Sequence, residues 1–418
     1  MPRDASRKIP LVQPNPPKLS GLLPQLAAIE ESGIFSNYGP VNTRLEREFL
    51  ELMFHQTGAC VTVCNATIGL MSALKHVASP KPSSRNFALM PAFTFAAAAH
   101  AALWAGLTPL LCDIDEASWT PSAESEERLL QRFGADIAVI FPYATFGNCL
   151  DLDRYEAISR RYGIPVVIDA AASLGTLAND RRAFGTGFAH PVVFSMHATK
   201  AFAVGEAGLV YCANPDVIDA IRAMGNFGFG QPRSATMPGI NSKLPEIMAL
   251  IALAKLREFD ILAAYRSEIA ELYRTELPGW TFQHMRGLRH AQQFMPVLLP
   301  QPLAARRQNI IAALADRGIG AATYFSPHLA QQPYFQQTCL ADDLPNTNNI
   351  AARILSLPIS DFITPEQVAT VCQTLQRITH PSLAPLPLGR HLQEKADGSE
   401  VEVGVVRRRR DPHHAVGE

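Results

Sequence analysis

Between residues 60 and 212, short and almost wholly apolar runs alternate with stretches of helical periodicity. No other feature of the chain restricts its fold as strongly. CVTVC (60–64), FALM (87–90), PLLCDID (109–115), DIAVIFPY (136–143), IPVVIDA (164–170), PVVFSM (191–196) and GLVYC (208–212) read as strands. Helices are predicted at 65–77, 94–106, near 122–133 and at 151–163. Strands with so few polar residues are covered on both faces, so the pattern predicts a mostly parallel sheet inside an α/β domain. That domain is expected over residues 40–265.

The flanks read differently. The first 20 residues carry five prolines and suggest an extended arm, followed by a short helix at 22–33 that stops at Gly33; together they make an N-terminal piece over 1–39. Leu45, Phe49, Leu52 and Met53 recur at helical spacing within 41–57. A long helix is predicted at 245–274. It leads into a smaller α+β domain over 266–379, with a strand at 294–299 and helices at 305–318 and 364–379. Residues 380–418, with several prolines and the run Arg407–Arg410, read as a disordered, solvated tail.

Composition narrows the function. The 418 residues are 47% hydrophobic and 18% charged, enough to bury a large core. Thirty-seven basic residues face 38 acidic ones, which gives no global attraction to nucleic acid or anionic lipid. Seven cysteines without a C-x-x-C pair argue against a disulfide framework or a zinc ribbon, and for a reducing, cytoplasmic setting. The first residues lack the apolar core of a secretory signal. The alanine-rich stretch 91–112 is broken by Pro91, Thr94, His100, Thr108 and Pro109, and suits a folded core better than a bilayer.

No P-loop, H-E-x-x-H or G-x-S-x-G occurs, and GNFGFG (225–230) follows no clear strand, so it reads as a glycine-rich loop. Four features fall near the carboxyl ends of strands, where open α/β sheets place their ligands. At CVTVC-NAT, the N–H groups of Ala66 and Thr67 and the Thr67 hydroxyl can form an anion cup at a helix start; equally, Asn65 can be a plain N-cap. Phe95 in PAFTF can lie flat on a ring or belong to the core. Asp169 ends a very apolar strand and needs something positive, either a protonated heterocyclic nitrogen or a basic side chain. Lys200 follows another apolar strand, where desolvation would make its amine nucleophilic, although a surface lysine is the plain alternative. Ser195 adds a hydroxyl to the anion cup, and His197 reads as structural. The order of these features (phosphate cup, aromatic, sheet-end aspartate, serine and lysine) is the layout of a fold-type I pyridoxal phosphate (PLP) site.

With these features in place, the sequence resembles the DegT/DnrJ/StrS family of PLP-dependent sugar aminotransferases, from about Ile9 to Ile378. SNYGPVNTRLEREF (36–49) resembles the family's N-terminal segment, CNATIGLMSAL its phosphate motif, and PAFTFAAAAHAALWAGLTPLLCDID its P-x-F-T-F stretch. IDAAASLG, FSMHATKAFAVGEAGLVYC, NFGFG, GINSKLPEIMALIALAKL and RILSLPIS are similar to its later motifs. The resemblance implies a seven-stranded-type central sheet and a homodimer with shared active sites. It implies PLP held as a Schiff base on Lys200, with Asp169 at the pyridinium nitrogen and Phe95 on the ring. Ala66, Thr67 and Ser195 would take the phosphate, joined by Asn226 from the neighbouring subunit, with Lys243 as a basic residue of the same inter-subunit loop. Tyr38, Arg233, Lys243, Tyr324 and His328 are candidates for the substrate pocket.

The implied reaction is a ping-pong transamination from L-glutamate or L-glutamine to a keto-sugar, nucleotide-linked. Its rivals are other PLP chemistry on the same fold (a cyclitol or amino-acid aminotransferase, or an elimination) and a non-enzymatic PLP-binding regulator. Three positions depart from the family pattern. Ala66 replaces a glycine, Ala207 replaces a glycine of the G-E-G-G turn, and Ala172 stands where the family has Gln or His beside the cofactor. Relatives with histidine at that last position are dehydratases, so Ala172 argues against dehydration.

Overall fold

The predicted strands are occupied by residues that remain 0–4% exposed, among them Val61, Leu89, Leu110, Val139, Ile168, Phe194 and Leu209. Each such side chain stabilises the fold by about 1.5–3 kcal/mol on burial. The structure, a computed structural model, describes residues 9–79 and 85–379. The tail expected over 380–418 lies outside the described residues, as do the first eight residues of the arm.

Seven strands come first in the chain: β1 (Ala59–Val63), β2 (Phe87–Pro91), β3 (Thr108–Cys112), β4 (Ile137–Ile140), β5 (Ile168–Asp169), β6 (Val192–Ser195) and β7 (Gly208–Cys212). Four more follow: β8 (Thr281–Phe282), β9 (Met295–Leu298), β10 (Leu340–Ala341) and β11 (Ile354–Leu357). The ladders β1-β7-β6-β5 and β10-β3-β2-β4 are continuous across parallel bridges at Ile140–Val166 and Tyr143–Asp169. Backbone bonds of 2.9 Å, from Val167 N–H to the Ile140 carbonyl and from Asp169 N–H to the Pro142 carbonyl, make that join. The central sheet therefore runs β1-β7-β6-β5-β4-β2-β3, with β10 on its edge. β7 is antiparallel to both neighbours, and the remaining pairs are parallel. This is the mostly parallel α/β sheet of fold-type I.

Helices α1 (Leu23–Ser32), α2 (Pro40–Leu52), α3 (Ala66–Val77), α4 (Ala96–Trp104), α5 (Ala123–Phe133) and α6 (Leu152–Tyr162) lie where helical periodicity predicts them. Their ends carry the expected chemistry. Asn65, Ser122 and Asp151 accept a backbone N–H of the first turn, and Gly33 and Gly163 close the C-termini in the left-handed conformation. The second helix is shorter than its pattern suggests. It stops at Leu52, because His55 and Gln56 take positive φ in the turn leading into β1. Helix α7 (Pro215–Gly225) was not anticipated, although Asn214 caps it and Pro215 opens it.

Helix α8 (Glu246–Glu276) spans two cores. Its first half contributes Ala252, Leu256 and Phe259 to the core of the central sheet. Its second half contributes Ile269, Ala270 and Tyr273 to a separate core under the β11-β9-β8 sheet. The domain boundary expected at 265 falls inside this helix. The second core is completed by α9 (Arg307–Ala315) and α12 (Pro365–Thr379), while α10 (Pro333–Thr338) and α11 (Pro345–Arg353) flank β10. Among the described residues no helix is long and apolar enough to cross a membrane.

Candidate active site

The site lies along the carboxyl ends of the central strands. β1 runs into α3 through Cys64 and Asn65, and the Asn65 side chain accepts from Ile68 N–H at 3.0 Å. Ala66 and Thr67 open the helix, where no helical carbonyl reaches their N–H groups and the dipole favours an anion. The turn rests on β7 at Gly208. A Cβ there would sit 2.8 Å from Ala66 N and 2.9 Å from the Asn65 carbonyl carbon, so only glycine lets the strand pass beneath the cup. Ser195 ends β6 opposite Gly208, and its Oγ accepts from His197 N–H at 3.3 Å.

Asp169 ends β5 and is 4% exposed. Its Oδ1 accepts one bond, from Ala171 N–H at 3.0 Å, and Oδ2 has no hydrogen-bond donor among the described residues. Burial pushes the carboxyl up to about 6, against the opposing pulls of that N–H and of Lys200. Lys200 lies in the turn between β6 and β7, held by its own N–H on the His197 carbonyl at 2.9 Å. Burial lowers its pKa, and the Asp169 carboxylate offsets part of that. Its Nζ donates to Gln293 Oε1 at 3.2 Å.

An aromatic group completes this edge. Phe95, just past β2, is 57% exposed, with its ring centroid 6.3 Å from that of Phe325. Phe325 packs edge-on to Tyr143 at 5.9 Å and stacks on Phe146 at 5.2 Å. Tyr143 is the bridge partner of Asp169, and its own burial, helped by that carboxylate, keeps its hydroxyl protonated.

A second group gathers beside the phosphate turn. Lys243 donates to Asn226 Oδ1 at 3.1 Å and lies 4.6 Å above the Phe227 ring. Ser242 ties this loop to the turn by accepting Cys64 N–H at 2.7 Å. Tyr38 lies nearby, with Arg222 4.9 Å over its ring and burial pushing its hydroxyl up to about 12. Tyr324 stacks on Phe294 at 5.2 Å. His328 is 1% exposed and pairs with Asn348 Oδ1 at 2.9 Å. Arg233 lies 4.8 Å over Phe229. The structure thus brings Asp169, Ser195, Lys200, Ala66 and Thr67 to one sheet end and pairs Asn226 with Lys243. No described contact joins Tyr38, Tyr324 or His328 to Lys200.

The sequence pattern of the DegT/DnrJ/EryC1/StrS aminotransferase family matches residues 21–376. The chain belongs to this family. A putative PLP-dependent aminotransferase from Bacillus cereus ATCC 10987 superposes with a TM-score of 0.83 at 37% identity, covering 88% of this chain and 99% of that one. DesI, solved in the presence of its TDP-sugar product, gives 0.78 at 28% identity, covering 89% and 93%. Protein Rv3402c of Mycobacterium tuberculosis is 32% identical over 376 residues, 88% of this chain and 90% of that protein.

As a member of the DegT/DnrJ/EryC1/StrS family the chain is a PLP-dependent aminotransferase, and its residues fit the cofactor. A buried carboxylate with an open oxygen suits a protonated pyridine nitrogen. Unpaired first-turn N–H groups over Gly208 suit a phosphate, and a desolvated amine lies alongside. The family departures are accommodated. Ala207 takes an ordinary backbone conformation and accepts Met196 N–H at 2.9 Å, and Ala172 is 7% exposed. Sequence reasoning missed Gln293. It lies 93 positions from Lys200 in no recognised motif, and its only signal is its place just before β9.

Proposed function

We propose that the chain moves an amino group from L-glutamate or L-glutamine to a keto-sugar carried on a nucleoside diphosphate, with Lys200 as the reacting amine. The observation that carries this reading is the pair at the sheet end, a lysine whose burial lowers its pKa beside a buried carboxylate without a full partner. Relatives support the sugar: a protein of Escherichia coli named dTDP-4-amino-4,6-dideoxy-D-glucose transaminase is 26% identical over 375 residues, and DesI is similar along its length.

In this reading Ala66, Thr67 and Ser195 bind the phosphate, and Phe95 stacks on the ring. Asp169 holds the proton on the ring nitrogen, and Lys200 carries a proton to and from the reacting carbon. Bound PLP supplies an electron sink for the charge left when the C–H bond beside the nitrogen breaks. General acid–base help from a positioned lysine contributes about 10²–10⁴-fold. Asn226 and Lys243 serve the site of a second copy, which makes the working unit a homodimer with shared sites. Tyr38 and Tyr324 line the acceptor pocket.

The test loads the enzyme with its amino group from L-glutamate, removes the donor, and offers keto-sugar nucleotides one by one while the cofactor absorbance is followed. Return of the original spectrum with a nucleotide-linked ketose, but not with keto acids or cyclitol ketones, is expected. Return only with the latter would overturn the sugar assignment.

A further inference from the structure

We propose that Gln293 is a positioning residue for Lys200, and that it is oriented by a directed hydrogen-bond chain running through Thr199 and His197 to Glu206. The proposal rests on the reading of Lys200 as the reacting amine and adds a residue from the C-terminal half of the chain.

A lysine amine in its charged form can only donate, so the atom 3.2 Å from Lys200 Nζ is the amide oxygen of Gln293. The amide nitrogen must then face the other way, and it donates to Thr199 Oγ1 at 3.4 Å. That hydroxyl lies 2.8 Å from His197 Nδ1. Thr199 backbone N–H also points at Nδ1, at 3.2 Å, which makes Nδ1 an acceptor. The Thr199 proton therefore goes to the imidazole, leaving its oxygen lone pairs for the glutamine. The imidazole proton resides on Nε2, 3.3 Å from Glu206 Oε1. The one lone pair of Nδ1 is shared between the Thr199 N–H and Oγ–H, and with every other group in a single role the chain reads Lys200 to Gln293 to Thr199 to His197 to Glu206.

Two consequences follow. The amide of Gln293 cannot flip without losing both of its bonds, so it presents an oxygen, and never an NH₂ group, to the amine. That oxygen favours the charged amine and fixes where Nζ rests when it is free. His197, which reads as structural in the sequence, becomes the anchor of this chain.

The experiment uses the full chain without cofactor, labelled with trinitrobenzenesulfonate, which attacks only uncharged amines. Peptide mass spectrometry follows the Lys200 peptide as a function of pH. In wild type, Lys200 labels with an inflection below that of the surface lysines. Gln293→Met removes the acceptor and moves the inflection down, so Lys200 labels about tenfold faster at a pH below it. Gln293→Glu keeps an acceptor and adds a charge, so it moves the inflection up and labelling slows by a similar factor. Thr199→Val frees the amide and gives a smaller shift in the direction of Gln293→Met. Shifts of the same sign in the Met and Glu variants, or none in either, would overturn the role of Gln293 alone. Wild-type Lys200 labelling no more readily than surface lysines would overturn both this role and the reading of Lys200 as an activated amine.

Discussion

Among the described residues two places set a lysine against a buried aspartate, and they are built in opposite ways. Lys255 is 0% exposed and Asp361 1%. The Lys255 amine donates to the Asn15 carbonyl at 3.0 Å and to Glu258 and Asp361 at 3.3 Å each. Asp361 also accepts from Arg266 at 2.5 Å and from the Asn15 amide at 2.8 Å. All three protons of the amine have acceptors, and both carboxylate oxygens are engaged. At the sheet end, Asp169 has one N–H and Lys200 has one amide oxygen. The first cluster is closed and holds the fold. The second is left open, a costly state for buried charge unless a ligand completes it.

The contrast can be broken by substitution. Lys200→Ala should give the largest effect, a fall of about 10⁴-fold or more in 2-oxo acid release from L-glutamate, with the fold retained by circular dichroism. A variant keeping a tenth of the activity would remove the open pair from the chemistry. Asp361→Ala should lower stability by about 3–5 kcal/mol, read as a drop in urea midpoint, because it strands Lys255 and Arg266 in the interior. An unchanged midpoint would show that the closed cluster does not hold the fold.

Asp169→Asn should have the opposite sign. In the cofactor-free chain the folded carboxyl titrates at about 6, above its ordinary 3.8. Between those values the folded state holds the proton more tightly than the unfolded state, so stability falls as pH rises through that window. The deficit is complete above it, at about 3 kcal/mol. An asparagine side chain carries no such charge, so the variant should melt higher than wild type at pH 8 and equally at about pH 3, below both values, while transaminating poorly. Equal melting at both values would mean that the carboxylate is already neutralised by the protein. The smallest effect belongs to the surface pair of Arg128 and Asp342, 2.5 Å apart with the arginine 47% exposed. Asp342→Asn should cost no more than about 1 kcal/mol and less in high salt, a baseline for both buried groups.

The large sheet was legible because both of its faces are covered, which forces long apolar runs such as Val166–Ile168 and Val192–Phe194. The short strands were not. Thr281–Phe282 and Leu340–Ala341 are two residues each and partly exposed, so they carry neither a run nor an alternation. Helix α7 has its signals in Asn214 and Pro215, which stand close behind an apolar strand and interrupt its pattern only briefly. At the site, Asp169 and Lys200 announce themselves as charged residues at the ends of apolar strands. Gln293 has no such contrast with its neighbours. It is recognisable only once the fold returns the chain to the sheet end, because hydrogen-bond partners 93 positions apart leave no local trace.

The start of the described chain is stitched to its far end. Ile9 bonds through its backbone to Gly318 and Gly320, and Asn15 reaches Asp361, 346 positions away. During synthesis Ile9 and Asn15 leave the ribosome with no counterpart to pair with, and they must wait until residues 318–361 have emerged. Docking of the arm is then a late assembly step, possible only after residue 361 has been made. A prematurely released product would keep that segment loose and open to cellular proteases.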